Sequence, residues 1–168
     1  MLSMNAPAIR IREATEADQA EWIALRCLLW PGSDADHHAK VPLYFSQRDA
    51  RGVTLVALTA DDANGVADSD SKLVGFLELG SRSYAEGCET SPVAYIEGWF
   101  VDSAYRRQGI GRALVRAAEE WAVRAGYEEL ASDVELDNDA SLSAHAALGF
   151  EKQPAIVPFR KSLGRGAG

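Results

Sequence analysis

Val101-Asp102-Ser103-Ala104-Tyr105-Arg106-Arg107-Gln108-Gly109-Ile110-Gly111-Arg112-Ala113-Leu114 carries the sharpest local signal in the chain. An apolar run beginning at Val93 ends at Val101, a basic turn comes next, and two glycines stand where a helix begins. Glycines at such a turn let the backbone approach a ligand without a Cβ in the way. The free N–H groups of the first helical turn, with the helix dipole, then favour an anion such as a pyrophosphate. For an isolated Gly-x-Gly, a plain glycine-rich turn is the simpler explanation. Two other phosphate loops fail on spacing. A Walker loop needs Gly-Lys-Ser/Thr, and a Rossmann fingerprint needs a small residue where Leu114 stands.

The chain on either side reads as alternating strands and helices. Ile9–Arg12 alternates apolar and charged residues, the pattern of a half-buried strand. Thr15, with Asp18 three residues on, opens a helix to about Leu29, with Ala20, Ile23 and Cys27 at helical spacing and Leu28 beside them as core. Trp30-Pro31-Gly32 stops it. Ser33–Asp36 reads as a second cap, and Pro42 divides the next segment into two short helical pieces, around 34–40 and 43–50. Val53–Ala60 and Lys72–Leu79 form a hairpin around a long polar loop, 61–71. Val93–Val101 is the next strand, and a helix spans Gly109–Ala125 with Ala113, Ala117, Trp121 and Val123 buried. Glu128–Val134 is a strand, Ala140–Leu148 a helix, Ile156–Lys161 a closing strand, and Gly164–Gly168 a frayed tail. This order predicts an α+β fold of α/β-type layering, a mixed central sheet with helices on both faces.

Composition bounds the function. The 168 residues suit a single domain, 1–168, with a flexible tail from about 163. Hydrophobic residues at 47% and charged residues at 25% exclude a mostly disordered chain. No stretch approaches the ~20 apolar residues of a membrane span, and no apolar segment comes after Met1 as a secretory signal requires. Cys27 and Cys88 lie far apart and outside any CxxC pair, so a disulfide framework and a zinc ribbon are excluded and a cytoplasmic home is expected. With 25 acidic against 17 basic residues the formal charge is -8, which disfavours nucleic acid and suits a cationic ligand.

Arg106-Arg107-Gln108-Gly109-Ile110-Gly111 resembles the R/Q-x-x-G-x-G/A loop of the GNAT N-acetyltransferase superfamily, and Ala147-Leu148-Gly149-Phe150 resembles the family's ending of its last helix. Leu29–Gly32, Tyr84 with Glu86–Thr90, Ser91–Val93, Ile96–Gly98, Ala131–Asp133 and Asp137-Asn138 are similar to segments of the aminoglycoside 6'-N-acetyltransferases. The resemblance covers nearly the whole chain. It implies the GNAT fold, acetyl-CoA as cosubstrate, no metal, and direct transfer of acetyl to an aminoglycoside 6'-amine in a ternary complex, which confers antibiotic resistance. It also implies a homodimer.

Glu97 stands in an otherwise apolar and aromatic strand, where a carboxylate is costly unless it faces a cleft or is paired. It is either a buried ion-pair partner or, as the resemblance implies, an amine-binding carboxylate able to serve as general base through water. Alternate side chains of Trp99, Phe100 and Val101 read as core. The resemblance implies that their backbone, where the strand splays, binds the pantetheine arm, beside the coenzyme loop Arg106, Arg107, Gln108, Gly109, Ile110, Gly111 and Arg112. Asp133 reads as a strand-end cap or, by resemblance, as a second acceptor carboxylate. Asn138 caps the last helix and by resemblance also contacts the coenzyme. Trp30 and Tyr84 read as core or staple aromatics or, by resemblance, as faces for the sugar rings. His145 is either a helix-surface histidine or the group that protonates the leaving thiolate. Ser33 and Pro154 stand where relatives carry substrate-contacting side chains, and Pro158 interrupts the closing strand. Two other functions compete: acetyl transfer to a different amine, such as a polyamine or a protein N-terminus, and a catalytically silent acetyl-CoA-binding module.

Overall fold

A computed structural model describes residues 8–47, 52–60 and 71–162. The elements are β1 (Ala8–Glu13), α1 (Gln19–Leu29), α2 (Asp34–Ser46), β2 (Val53–Ala60), β3 (Leu73–Arg82), β4 (Val93–Val101), α3 (Ile110–Arg124), β5 (Leu130–Ser132) and α4 (Asp139–Ala147). The strands form one sheet in the order β1-β2-β3-β4-β5. β1 to β4 pair antiparallel and β5 joins β4 in parallel, so the sheet is mixed as expected.

Alternation along the strands builds two cores. Leu55 and Ala57 of β2 face α3, which buries Ile110, Leu114, Val115 and Ala118 at helical spacing. Val56 and Leu58 face the other way, toward Trp22 and Leu25 of α1 and Val41 of α2. Each leucine, isoleucine or valine among them taken fully from water contributes about 1.5–3 kcal/mol, so both helical layers are held mainly by burial. Helices therefore cover both faces.

Several sequence expectations are corrected. The buried residues of α1 are Trp22 and Leu25, while Ala20 and Leu28 are exposed. Thr15 and Asp18 do cap the entry: the Asp18 carboxylate accepts the Thr15 N–H at 2.7 Å and its hydroxyl at 2.9 Å, ahead of a single 3-10 turn. α2 runs unbroken through Pro42. Both Pro42 and His38, whose carbonyl loses its helical donor there, lie on the exposed side, so water can replace the bond. Residues 48–50 of the expected second piece lie outside the described residues, as do loop residues 61–70 and the tail 163–168. Val123 is 73% exposed rather than core. The strand expected over Glu128–Val134 shrinks to Leu130–Ser132, and Ile156–Lys161 forms no strand. Pro154 and Pro158 remove two donors from that stretch, and residues 151–162 are exposed throughout.

Candidate functional site

The α1/α2 face of the sheet carries a cleft. β3 presents Phe76, Glu78, Gly80 and Arg82 to it by strict alternation. β4 does not alternate strictly. Glu78 pairs with Gly98 and Leu79 with Ile96, which leaves Glu97 as the extra residue of a β-bulge. The bulge turns Glu97 to the same side as Gly98, where strict alternation would have sent it toward α3. The missing side chain of Gly80 makes room for the carboxylate, since a Cβ there would meet Glu97 Oε1 at 3.0 Å. Gly98 makes room for Trp30, whose ring lies where its Cβ would be.

The resulting cleft of about 350 Å³ is lined by Arg26, Lys40, Tyr44, Thr54, Glu78 and Glu97, among others. Both readings of Glu97 hold at once, because it lines the cleft and is also ion-paired. Arg82 donates to both of its oxygens, from Nε at 2.9 Å and from Nη2 at 2.5 Å. The guanidinium lies 3.4 Å from the centre of the Tyr95 ring, and the Tyr95 hydroxyl donates to Asp133 Oδ1 at 2.8 Å. Burial, and then Asp133, push the Tyr95 hydroxyl well above its usual pKa. Glu97 and Asp133, the two acidic residues singled out in the sequence, are thus joined through Arg82 and Tyr95.

Trp30 ends α1, with Arg26 stacked 4.8 Å from its ring centre and His37 5.9 Å away. Glu78 sits beside this group and accepts from Trp22 Nε1 at 2.9 Å and from Arg26 Nη1. Ser33 is exposed at the start of α2, where its carbonyl, and not its hydroxyl, caps by accepting the His37 N–H. Tyr84 is 65% exposed beyond the end of β3. Neither lines the cleft.

The second half of the site lies where β4 and β5 part. Their pairing covers only Ala94↔Leu130 to Ile96↔Ser132, after which β4 continues to Val101 without β5 beside it. The expected splay is present. Phe100 packs on Phe76 at 6.2 Å, while Trp99 and Val101 face α3. Trp99 Nε1 is a buried donor without a hydrogen-bond partner among the described residues. His145 meets Trp99 and Phe150 edge-on at 5.3 and 5.1 Å, so it is a half-buried residue and not a helix-surface one. Its Nδ1 lies 2.8 Å from the Ser141 carbonyl, which can only accept, so Nδ1 carries the proton. Nε2, in the neutral ring, then accepts from the Ser132 hydroxyl at 3.0 Å.

The loop completes the fork. Arg106 donates from Nε to the Val101 carbonyl at 3.0 Å. Arg107 has φ +63° and Gly109 φ +82°, two closely spaced departures that aim the chain into α3. Ile110 is 2% exposed and offers only its backbone. A Cβ on Gly111 would meet Trp99 Cζ2 at 2.9 Å, so the bare glycine lets the first turn settle on the indole. Gln108 is exposed and Arg112 stands at the surface beside that turn. Asn138 accepts the Ser141 N–H at 3.1 Å, capping α4 as expected. Free amides of the first turn of α3 and three arginines together suit a phosphorylated ligand such as a coenzyme A thioester.

Sequence reasoning missed Glu78, Arg82 and Tyr95. Glu78 carried a usable signal, being a lone carboxylate in Gly75-Phe76-Leu77-Glu78-Leu79-Gly80 just as Glu97 is in β4. Arg82 and Tyr95 gave none, because only the strand register brings them beside Glu97.

Residues 19–150 match the model of the acetyltransferase (GNAT) family. The chain is 41% identical over 160 residues to the aminoglycoside N(6')-acetyltransferase type 1 of Klebsiella aerogenes, covering 95% of this chain and 99% of that one. It is similar to the crystal structure of the aminoglycoside 6'-N-acetyltransferase AAC(6')-Ih from Acinetobacter baumannii, with a TM-score of 0.81, 35% identity, and coverage of 94% and 100%. A TM-score of 0.81 at 31% identity, over 93% and 99% of the chains, relates it to AAC(6')-Iy in complex with the bisubstrate analogue CoA-S-monomethyl-acetylneamine.

Proposed function

The chain belongs to the acetyltransferase (GNAT) family, and we propose that it moves the acetyl group of acetyl-CoA to the 6'-amine of aminoglycosides, by direct transfer between two bound substrates. The carrying observation is the junction of a cleft on the α1/α2 face, where the carboxylates Glu78 and Glu97 stand with Arg26 and Lys40, with the edge of β4 that β5 leaves beyond Ile96. One half suits a polycationic sugar and the other a thioester arm. The first turn of α3, with Arg106, Arg107 and Arg112, holds the pyrophosphate, and an N–H of β4 aimed into the fork stabilises the oxygen of the thioester as the amine attacks. Glu97 and Asp133 hold the acceptor, Trp30 offers its ring to a sugar face, and His145 with Ser132 delivers a proton to the departing thiolate. Tyr84 and Ser33 belong to the rim.

The chain acts as one domain in the cytoplasm, a reading that rests on its two unpaired cysteines. It works as a homodimer. Ile156, Val157 and Phe159, exposed by 61, 74 and 95%, form the apolar stretch that a second copy covers. Phe159→Asp is expected to give a monomer in sedimentation, and an unchanged dimer would remove that stretch from the interface.

A panel of aminoglycosides, a polyamine and a short peptide, monitored by coenzyme A release and NMR of the products, decides the acceptor. Neomycin is expected to be acetylated at its 6'-amine. Paromomycin, with a 6'-hydroxyl, should bind without turnover, because a hydroxyl is a far weaker nucleophile toward a thioester. Equal acetylation of both would place the reaction at another amine, and turnover of the peptide alone would overturn the acceptor class.

A further inference from the structure

Two carboxylates line the cleft, and the structure treats them differently. Both oxygens of Glu97 are bonded to Arg82. Glu78 instead receives both of its donors, Trp22 Nε1 and Arg26 Nη1, on the single oxygen Oε1. Oε2 has no hydrogen-bond partner among the described residues, and it is not one of the sealed-off polar atoms. The side chain is only 14% exposed, and the cleft is where that remaining exposure opens. Opposite it on β4 is Gly98, over which the Trp30 ring lies, two residues beyond the point where β5 leaves the sheet.

We infer that Glu78 Oε2 is the site that receives the acceptor's reactive ammonium group and takes its proton. The inference rests on the acetyltransferase reading and assigns a step within it. A lone oxygen facing a cleft, with its twin tied by two donors, has one direction left in which to accept a hydrogen bond. The ammonium passes one proton to Oε2 and becomes a neutral amine. The amine nitrogen then bonds to the thioester carbonyl carbon, and the carbon–sulfur bond breaks with its electron pair on sulfur. The thiolate takes a proton through Ser132 and His145, the second nitrogen proton replaces it there, and amide, thiol and a protonated Glu78 that returns its proton to water remain. Glu97 serves as an anchor, since each of its oxygens accepts one bond from Arg82 and keeps one lone pair for the acceptor.

Burial pushes the Glu78 carboxyl above the usual carboxylate range, against the opposing pull of Arg26 and Trp22. That favours a proton acceptor working near neutrality. The charged and titratable groups around it are Arg26 from α1, His37, Lys40 and Tyr44 from α2, and Glu97 from β4. Because Glu78 must be ionised to accept, activity is lost as pH falls through its pKa, and this acid limb lies above the range of an exposed glutamate.

The deciding experiment measures kcat and KM with kanamycin A from about pH 5 to 10, for the full-length protein and for Glu78→Gln and Glu97→Gln. Glu78→Gln is expected to lower kcat by about 100-fold or more near neutral pH. It should leave the KM for acetyl-CoA unchanged, and its deficit should shrink at alkaline pH as the acceptor amine loses its own proton to water. Glu97→Gln should keep the acid limb of the wild type. Wild-type kcat in Glu78→Gln, or an equal deficit at every pH, would overturn the assignment while leaving the acetyltransferase reading in place. Failure of the wild type to acetylate any aminoglycoside while binding acetyl-CoA would overturn both. Should Glu78→Gln not fold, Glu78→Asp keeps a charge for Arg26 but withdraws the free oxygen by one methylene. A fall in kcat of about tenfold or more supports the site, and an unchanged kcat removes it.

Discussion

Arg82 grips Glu97 in two parallel hydrogen bonds, Nε to Oε1 and Nη2 to Oε2, while its guanidinium lies against the Tyr95 ring. An internal cation thus occupies the position that an ammonium group of the acceptor would otherwise take at this carboxylate. On the proposed reading, an acceptor ammonium has to share Glu97 with Arg82 or displace it.

Charge at this pair should therefore set acceptor affinity. Glu97→Gln is expected to raise the aminoglycoside KM about tenfold or more, the cost of roughly one charge-assisted hydrogen bond, with acetyl-CoA affinity unchanged by calorimetry. Arg82→Gln is expected to do the reverse, lowering KM several-fold in dilute buffer. A rise in KM for Arg82→Gln would mean that the arginine orders Glu97 for binding rather than competing for it.

Salt should act on the same side of the reaction. Exposed charges are screened beyond ~8 Å at physiological ionic strength, and the chain carries a net charge of -8. The KM for a polycationic acceptor should rise clearly from low to high salt, and more steeply in Arg82→Gln. An unaffected KM in both proteins would point to an apolar acceptor.

Gly111→Val should injure coenzyme binding first. Any Cβ at this position meets the Trp99 ring at 2.9 Å, and a branched one forces the first turn of α3 off the indole. Acetyl-CoA affinity is expected to fall about tenfold or more, for a loss of roughly one or two hydrogen bonds, while the far-UV spectrum is retained. Wild-type affinity would separate this turn from the coenzyme.

The entry to α1 supplies a pH-dependent contribution to stability. Burial raises the Asp18 carboxyl, but bonds from Arg12 and Thr15 outweigh it and hold its pKa below the usual range. Its folded pKa is thus depressed, so the stabilisation is present above the unfolded pKa and fades as pH falls through the folded one. Asp18→Asn should cost about 1.5–3 kcal/mol at pH 7. The gap from wild type should narrow in denaturant titrations as pH falls below the ordinary aspartate range. A constant gap would assign the effect to packing alone.

Much of this was legible in the sequence because local signals agreed with tertiary ones. Gly109 and Gly111 marked the turn into α3 and Asn138 marked the cap of α4, whereas the buried face of α3 was expected at Ala113, Ala117, Trp121 and Val123 and lies instead on Ile110, Leu114, Val115, Ala118 and Ala122. What was not legible depends on neighbours distant in the chain. The bulge that turns Glu97 exists only in the register of β4 against β3, and Arg82 meets Glu97 only across that register. Ile156–Lys161 has strand-like composition, but a strand needs a partner, and residues 151–162 find none among the described residues. Pro42 misled because the cost of its missing donor depends on whether the orphaned carbonyl faces water.

The fork between β4 and β5 also bears on how the protein avoids sticking to itself. An unpaired strand edge is ordinarily a template for a second chain and a route to aggregation. Here the bare edge is short, running from Glu97 to Val101, and on the α3 face it is bridged by the contact of Trp99 with His145 and the bond of His145 to Ser132. A foreign strand would have to part that bridge to align, whereas a thin ligand arm carrying only a few amides would not. An opening proposed to admit a cosubstrate would thus also be a filter against self-association.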